Sequence, residues 1–481
     1  MSVENLEPKL LWKHFAALSA IPRGSKNEKA VAAHVVAEAK RMGLPVRQDG
    51  CGNVIVQKPA TKGMEKAKTT ILQGHLDMVC EKNEATKHDF TKDPIRLKIE
   101  GEWVKADGTT LGSDNGIGCA AGLAVMESKD LKHGPLEFLF TIDEETGLTG
   151  AFNLEPGSLK GKQLLNLDTE EEGAIYIGCA GGMDSVAKRL VTLLPATPGK
   201  AAFRVRVTGL KGGHSGLDIN TGRGNALKLL ARVLRATAMA HGLEIASLEG
   251  GSKRNAIPRE AFAVVYLDAG RVEALKADLA KMQAAIRAEL GKADPDLQLL
   301  AEPGQGPGKV FDPADAMAVC NFLHACPHGT LAMTPDIPDL VQTSTNCAIV
   351  ETKDNVVTVS MSHRSSVDSA KKDVGAMVRA YCALAGFSVE QGDGYPGWAP
   401  NVNSPLLGVA KKLHAELFGK EALVKAVHAG LECGIIGEKF PGMDTISIGP
   451  TIVGAHSPDE KVHVPSVGTF WKFVAALLER A

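Results

Sequence analysis

Residues 135–150, PLEFLFTIDEETGLTG, set three consecutive acids, Asp143, Glu144 and Glu145, at the end of an apolar run. Adjacent carboxylates repel, and each loses solvation beside an apolar strand, so solvent or a cation must balance them. A metal-dependent hydrolase uses such a pair, one carboxylate binding the cation while its neighbour handles the proton of the attacking water. A solvated strand-to-loop turn has the same composition, and the triplet alone is a weak motif. Four other segments place polar residues directly after apolar runs: TTILQGHLDMVC with His75 and Asp77, GTTLGSDNGIG with Asp114, KQLLNLDTEEEG with Asp168, and TISIGPTIVGAHSPDE with His456. Singly, each is equally a loop histidine, a turn former or a helix N-cap. Jointly they supply imidazoles and carboxylates in a donor set suited to Zn²⁺ and related divalent ions. Cys80 and Cys119 lie near these motifs without a histidine-paired nucleophile pattern, and both read as core residues.

Side chains so scattered converge only if an α/β sheet gathers them, because ligands collect outside the carboxyl ends of its strands. Short apolar runs at 53–57, 69–73, 136–142 and 163–167 read as strands. After an amphipathic N-terminal helix, 27–42 and 116–127 read as helices, the first ending before Gly43 as a C-cap. This alternation predicts a mixed sheet covered by helices. Beyond it the strands carry more charge and the amphipathic helices more Arg and Lys. Their order is βαββαβ, followed by a helix, two strands, a helix and a strand. That order predicts an inserted α+β lid domain, built as a duplicated split-βαβ unit. After the Gly/Pro-rich return linker GDGYPGWAP the first texture resumes. The expected organisation is an α/β catalytic domain in two pieces, 1–183 and 391–481, with the lid at 184–390.

A formal net charge of −2 removes the electrostatic case for a nucleic-acid or anionic-membrane partner. Apolar residues at 44% and charged residues at 23% describe an ordinary globular chain. Lys9, Lys13 and His14 interrupt the N-terminal apolar residues at helical spacing, against a secretory leader. No apolar run approaches the roughly 18 uncharged residues that a membrane-spanning helix needs. Nine cysteines, without paired CxxC spacing, fit reduced thiols and a cytoplasmic location better than a disulfide framework.

GHLDMVC, GSDNGIG, IDEETGLTG, NLDTEE and GAHSPDE, in that order, resemble the motifs of the co-catalytic dizinc peptidases. The likeness runs over essentially the full length, IPRGSKNE included, and is strongest to the dipeptidases of that family. It implies a dizinc-peptidase catalytic domain with two Zn²⁺ per chain, for which the donor set also allows Mn²⁺ or Co²⁺. It implies Asp114 between the ions, His75 and Asp168 on one, Glu145 and His456 on the other, and a cis peptide after Asp114. Asp77 would orient the His75 imidazole. Glu144 would be the general base, taking a proton from the attacking water and delivering one to the leaving amine. LKGGHSG, with His214, resembles a lid histidine that stabilises the oxyanion. RNAIP, with Asn255, and SHRSS, with Arg364, resemble lid segments that hold the substrate backbone and C-terminal carboxylate. An ordinary turn or surface role is open for all three. In HAGLECG, charge alone offers Glu432 to the substrate α-amino group, with a core turn as the equal alternative.

The implied activity is hydrolysis of small unblocked dipeptides, including Xaa-His substrates of the carnosine type. An N-acyl amino-acid amidohydrolase or deacetylase on the same metal site is the competing activity, although many of those have a short lid. A non-catalytic binding protein on this fold would show a lost ligand or base, and here each position is filled. A homodimer stays open, because single-lid relatives pair through the lid whereas a duplicated lid supplies its own partner surface.

Overall fold

Four parallel strands, Leu136–Thr141, Thr70–His75, Gln163–Asn166 and Asp444–Ser447, lie side by side in that order. Their residues are buried throughout, apart from Asp444. Strands covered on both faces carry apolar residues at consecutive positions, as at Ile71–Leu72, Phe138–Phe140 and Leu164–Leu165, which is why these were visible in the sequence. Val54–Lys58 and Val46–Gln48 extend one side antiparallel, and Ala174–Cys179 and Leu423–Val427 lie at the other edge, giving an eight-stranded mixed sheet. The helix Ser113–Glu127 is small and apolar, and every one of its residues except Asp114 and Glu127 is buried, packed against the sheet and helix Lys9–Ser19. This computed structural model describes residues 2–335 and 337–480.

The chain forms two compact units, one of 1–178, 398–426 and 431–481, the other of Cys179–Gly397 with Val427–Gly430. The second unit therefore reaches beyond 184–390 at both ends and takes a short return from the C-terminal part. Its nine-stranded sheet contains the same motif twice. In one copy Lys200–Thr208, helix Ala226–His241, Glu244–Gly250, Ala261–Asp268, helix Val272–Leu290 and Gln298–Pro303 follow in sequence. In the other, Gly181–Leu190 is followed by helix Pro313–Ala325, Val341–Lys353, Val356–Ser365, helix Asp368–Ala385 and Ser388–Gln391. Both arrange their strands fourth, first, third, second, and they join through their second strands at Glu249↔Glu351 and Gly250↔Val350. The first copy is nested inside the second, between its opening strand and first helix. That nesting explains why the second round looks short of a strand in the sequence. Among the described residues no helix is long and apolar enough to cross a membrane.

Candidate metal centre

The carboxyl ends of the four parallel strands carry the candidate residues. His75 ends its own strand, Asp143–Glu145 follow Thr141, Asp168 follows Asn166, and the strand Asp444–Ser447 leads toward the His456 loop. Asp114 enters from the start of the helix Ser113–Glu127, where its own φ/ψ is non-helical and the Asp114–Asn115 peptide is cis. His75 Nε2 lies 3.1 Å from Asp114 Oδ1 and 3.4 Å from Asp168 Oδ1. His456 Nε2 lies 3.0 Å from both Asp114 Oδ2 and Glu145 Oε2. Asp114 thus stands between two imidazoles, each shared with a further carboxylate. One donor atom each from His75, Asp114 and Glu145 falls within 4.8 Å of the others.

The electrostatics of this group call for positive charge at its centre. Its hydrogen bonds to Asp114 and Glu145 push the His456 imidazole up to about 11. Burial opposes charge on His75, yet Asp168 and Asp114 pull it well above its ordinary range. Burial pushes the Asp168 carboxyl up to about 6, in spite of His75. Glu145 Oε1 and Asp168 Oδ1 are buried without a hydrogen-bond partner. Leftover carboxylate oxygens converging with imidazoles fit a divalent ion better than any arrangement of neutral donors.

The surrounding residues fix these groups. Asp77 is fully buried, with Oδ1 3.4 Å from His75 Nδ1. Its oxygens also accept from the Glu144 amide at 3.0 Å, the Glu145 amide at 3.2 Å and Ser25 Oγ at 2.8 Å. Burial would raise the Asp77 carboxyl, but His75, the Glu144 amide and Ser25 outweigh it and hold it at about 2. Asp77 therefore links the His75 ring to the turn bearing Glu144 and Glu145. Glu144 itself is pushed well up, by burial first, with His75 opposing. Asp143 points away: in a left-handed conformation that Asp tolerates, it accepts from the Thr146 and Thr149 hydroxyls and so ties the turn to itself through side chains.

Two expectations need correcting. Glu432 is 1% exposed, and its Oε2 accepts from Gln73 Nε2 and Thr141 Oγ1, each at 2.6 Å, while Oε1 has no hydrogen-bond partner, so of its two readings the structure fits the core turn. It ends a buried polar chain that runs on from Gln73 to Asn166 and Ser447, one layer beneath the strand ends. The charge of HAGLECG gave no sign of that depth. Cys80 is exposed, because the chain has left the sheet by Val79; Cys119 is buried, its thiol donating to the His75 carbonyl at 3.0 Å. Arg23 and Glu460, both buried against the Asp114 segment, were missed. The only signals were the arginine of IPRGSKNE and the last acid of GAHSPDE.

Within the second unit His214, Asn255 and Arg364 come together. His214 pairs with Ala256 in a two-residue ribbon, the Ser215 amide donates to the Asn255 carbonyl at 2.8 Å, and Arg364 Nε donates to Ser215 Oγ at 3.3 Å. Asn255 and Arg364 line one cavity, of about 270 Å³, with Asp184, Arg254, Ser362 and Tyr395. His214 Nδ1 accepts from the Gly216 and Leu217 amides at 3.2 and 3.1 Å, which places the proton of the neutral ring on Nε2 as a donor.

A parallel-sheet hydrolase unit with a cation-demanding cluster at its strand ends is the architecture of a metallopeptidase. The chain belongs to peptidase family M20/M25/M40, which it matches over residues 71–480. It is 43% identical over 477 residues to the cytosol non-specific dipeptidase of Escherichia coli (strain K12), covering 99% of this chain and 98% of that one. The crystal structure of aminoacylhistidine dipeptidase from Vibrio alginolyticus superposes with a TM-score of 0.91 at 45% identity, covering 100% of this chain and 98% of that one. Aminopeptidase PepT from Bacillus cereus, 17% identical with a TM-score of 0.58 over 98% of each chain, shares the fold.

Proposed function

We propose that the chain is a metal-dependent dipeptidase that hydrolyses the peptide bond of small unblocked dipeptides, Xaa-His substrates of the carnosine type among them. The observation that carries this reading is the convergence of His75, Asp114, Glu145, Asp168 and His456, with two buried carboxylate oxygens unpartnered. These five residues would hold two divalent ions, Zn²⁺ being the assigned metal: His75 and Asp168 would serve one, Glu145 and His456 the other, and Asp114 would serve both. When bound, such ions lower the pKa of water and polarise a carbonyl oxygen. Glu144 then serves as general base, taking the proton of the attacking water and handing one to the leaving amine. Asp77 orients His75. His214, through Nε2–H, is assigned to the developing oxyanion, and Asn255 and Arg364 to the substrate backbone and C-terminal carboxylate. The dipeptide preference and a cytosolic location rest on the Escherichia coli relative, and the Xaa-His preference on the Vibrio alginolyticus one.

The test is metal analysis of the purified chain with a panel of free and N-acetylated dipeptides, before and after chelation. The expected result is about two divalent ions per chain, cleavage of free dipeptides only, and recovery on adding Zn²⁺ back. Cleavage that survives complete chelation, or that prefers the acetylated substrates, would overturn the assignment.

A further inference from the structure

Glu460 follows His456 in the same loop and is 2% exposed, although the SPDE sequence around it reads as a surface turn. Its carboxylate is taken up by one run of the chain. Oε2 accepts from the Leu111 amide at 2.7 Å and the Gly112 amide at 2.9 Å. Oε1 accepts from the Ser113 amide at 2.7 Å, the Ser113 hydroxyl at 2.6 Å and the Asp114 amide at 3.3 Å. Successive amides turned inward at a helix start form an anion site, and here the chain's own carboxylate fills it. Gly112, at φ +69°, supplies the left-handed residue the run needs.

The same run is held on its carbonyl side. Arg23, also 2% exposed, donates through Nη2 to the Gly112 carbonyl and through Nη1 to the Leu76 and Asp77 carbonyls at 2.9 and 3.0 Å. Glu460 therefore ties the Asp114 segment to the His456 loop, while Arg23 ties it to the His75–Asp77 segment. The His456 loop joins the paired strands Ile452–Val453 and Lys461–His463, and its own bonds leave His456 out. Ser457 Oγ and the Ser457 amide donate to the Gly454 carbonyl at 2.7 and 3.2 Å, the Asp459 amide to Ser457 Oγ at 3.3 Å and the Glu460 amide to the Ser457 carbonyl at 3.1 Å. The His456 side chain is 54% exposed at φ +63°.

From this geometry we infer that Glu460, backed by Arg23, is a positioning residue that fixes His456 against Asp114 and so sets the metal affinity of the site. The inference rests on the metal reading above. Glu460 Oε1 and Oε2 are occupied by the 111–114 run, so its influence reaches the site only through the two residues it joins.

The test is chelator competition for Zn²⁺ on the full chain, with kcat, KM and thermal unfolding measured beside it. E460Q preserves shape but turns an amide NH₂ toward amide donors, and should weaken Zn²⁺ binding about 10- to 100-fold, the usual cost of losing an outer partner of a metal ligand. The kcat should fall with it at subsaturating metal, KM should hold, and excess Zn²⁺ should restore turnover. S113A, which removes one hydroxyl donor, should shift the competition curve in the same direction by less. If E460Q does not fold, S113A and R23K decide the matter. Wild-type competition curves in the variants, even with lowered thermal stability, would reduce Glu460 to a fold-stabilising residue and overturn the inference alone. A wild-type chain that takes up no metal would overturn the metal reading and this inference together.

Discussion

The two units both bury polar groups along their central strands, and they treat them differently. In the second unit the His363 ring is fully buried with both nitrogens engaged, Nε2 by Ser185 Oγ and Nδ1 by Thr345 Oγ1, each at 2.7 Å. Gln391 Nε2 in turn donates to Ser185 Oγ at 2.8 Å. In the first unit, Glu145 Oε1 and Asp168 Oδ1 are left over beside two imidazoles. Isolated unpartnered atoms occur in the second unit as well, such as Asn346 Oδ1, but that one is a single neutral amide oxygen. A surplus of one sign, converging on one point, costs stability that a structural network would not tolerate and that bound cations repay. Satisfied burial is what the scaffold of the second unit shows, whereas the proposed metal centre is set apart by unsatisfied carboxylates that converge with imidazoles.

The comparison breaks most sharply at Asp168. D168N removes a proposed ligand whose Oδ1 is buried without a hydrogen bond, its nearest cationic neighbour being His75 Nε2 at 3.4 Å, so metal uptake and turnover should be lost. Measured without metal, its thermal stability should equal or exceed that of the metal-free wild type, because one desolvated charge is gone. A metal-free D168N chain that unfolds well below the wild type would show Asp168 to be scaffold. E144Q should act next most strongly, lowering kcat by about 10²–10⁴-fold with metal content unchanged, as expected for a lost general base. Loss of metal in E144Q would move Glu144 into the ligand set. R364K should come third, raising KM by roughly tenfold while kcat holds, because an ammonium cannot grip a carboxylate with two parallel donors. An equal fall in kcat would point to a role in the reacting geometry.

The centre was more legible in the sequence than its supports, for physical reasons. His75, Glu145 and Asp168 each follow a strand with adjacent apolar residues at its centre, Ile71–Leu72, Phe138–Phe140 and Leu164–Leu165, whereas Asp114 and His456 stand out only as members of the ordered motif set. Glu460 and Arg23 carry no such mark, since what makes them important is contact with the Asp114 segment, 346 residues away for Glu460 bound to the Asp114 amide. Glu432 misled for the same reason: charge is visible in a sequence, burial beneath a strand end is not. The strands Leu97–Glu100 and Trp103–Ala106, neighbours in a separate four-stranded sheet, went unread because they alternate between partly buried and exposed or buried residues, without an apolar run. The second lid copy went half-read because its opening strand, Gly181–Leu190, is separated from the rest by the whole first copy.

The smallest expected effect tests the scaffold side of the comparison, in the acid range. Burial lowers His363 to about 4, against an ordinary value of 6.5, with Asp184 opposing. Burial likewise lowers His328 to about 4, aided by Lys228, and His428 to about 3, aided by Arg364. A histidine whose folded pKa is depressed takes up its proton more readily when unfolded. Its stabilising contribution is complete above about 6.5 and is lost as pH falls through that window toward 4. Acidification should therefore weaken the second unit over this range, for a reason independent of the metal cluster. For His363 alone the loss is of order 3 kcal/mol at most, from its shift at about 1.4 kcal/mol per pKa unit. H363N offers one donor and one acceptor but cannot be protonated. It should cost about 1–2 kcal/mol near neutral pH through imperfect replacement of two hydrogen bonds, and should flatten the fall in stability below pH 6.5. Denaturant unfolding of wild type and H363N from pH 7 to pH 4.5, followed by hydrogen exchange in the strand Val356–Ser365, reads both. Parallel pH dependences for the two chains would mean that His363 titrates normally, and the satisfied network of the second unit would then have to be redrawn.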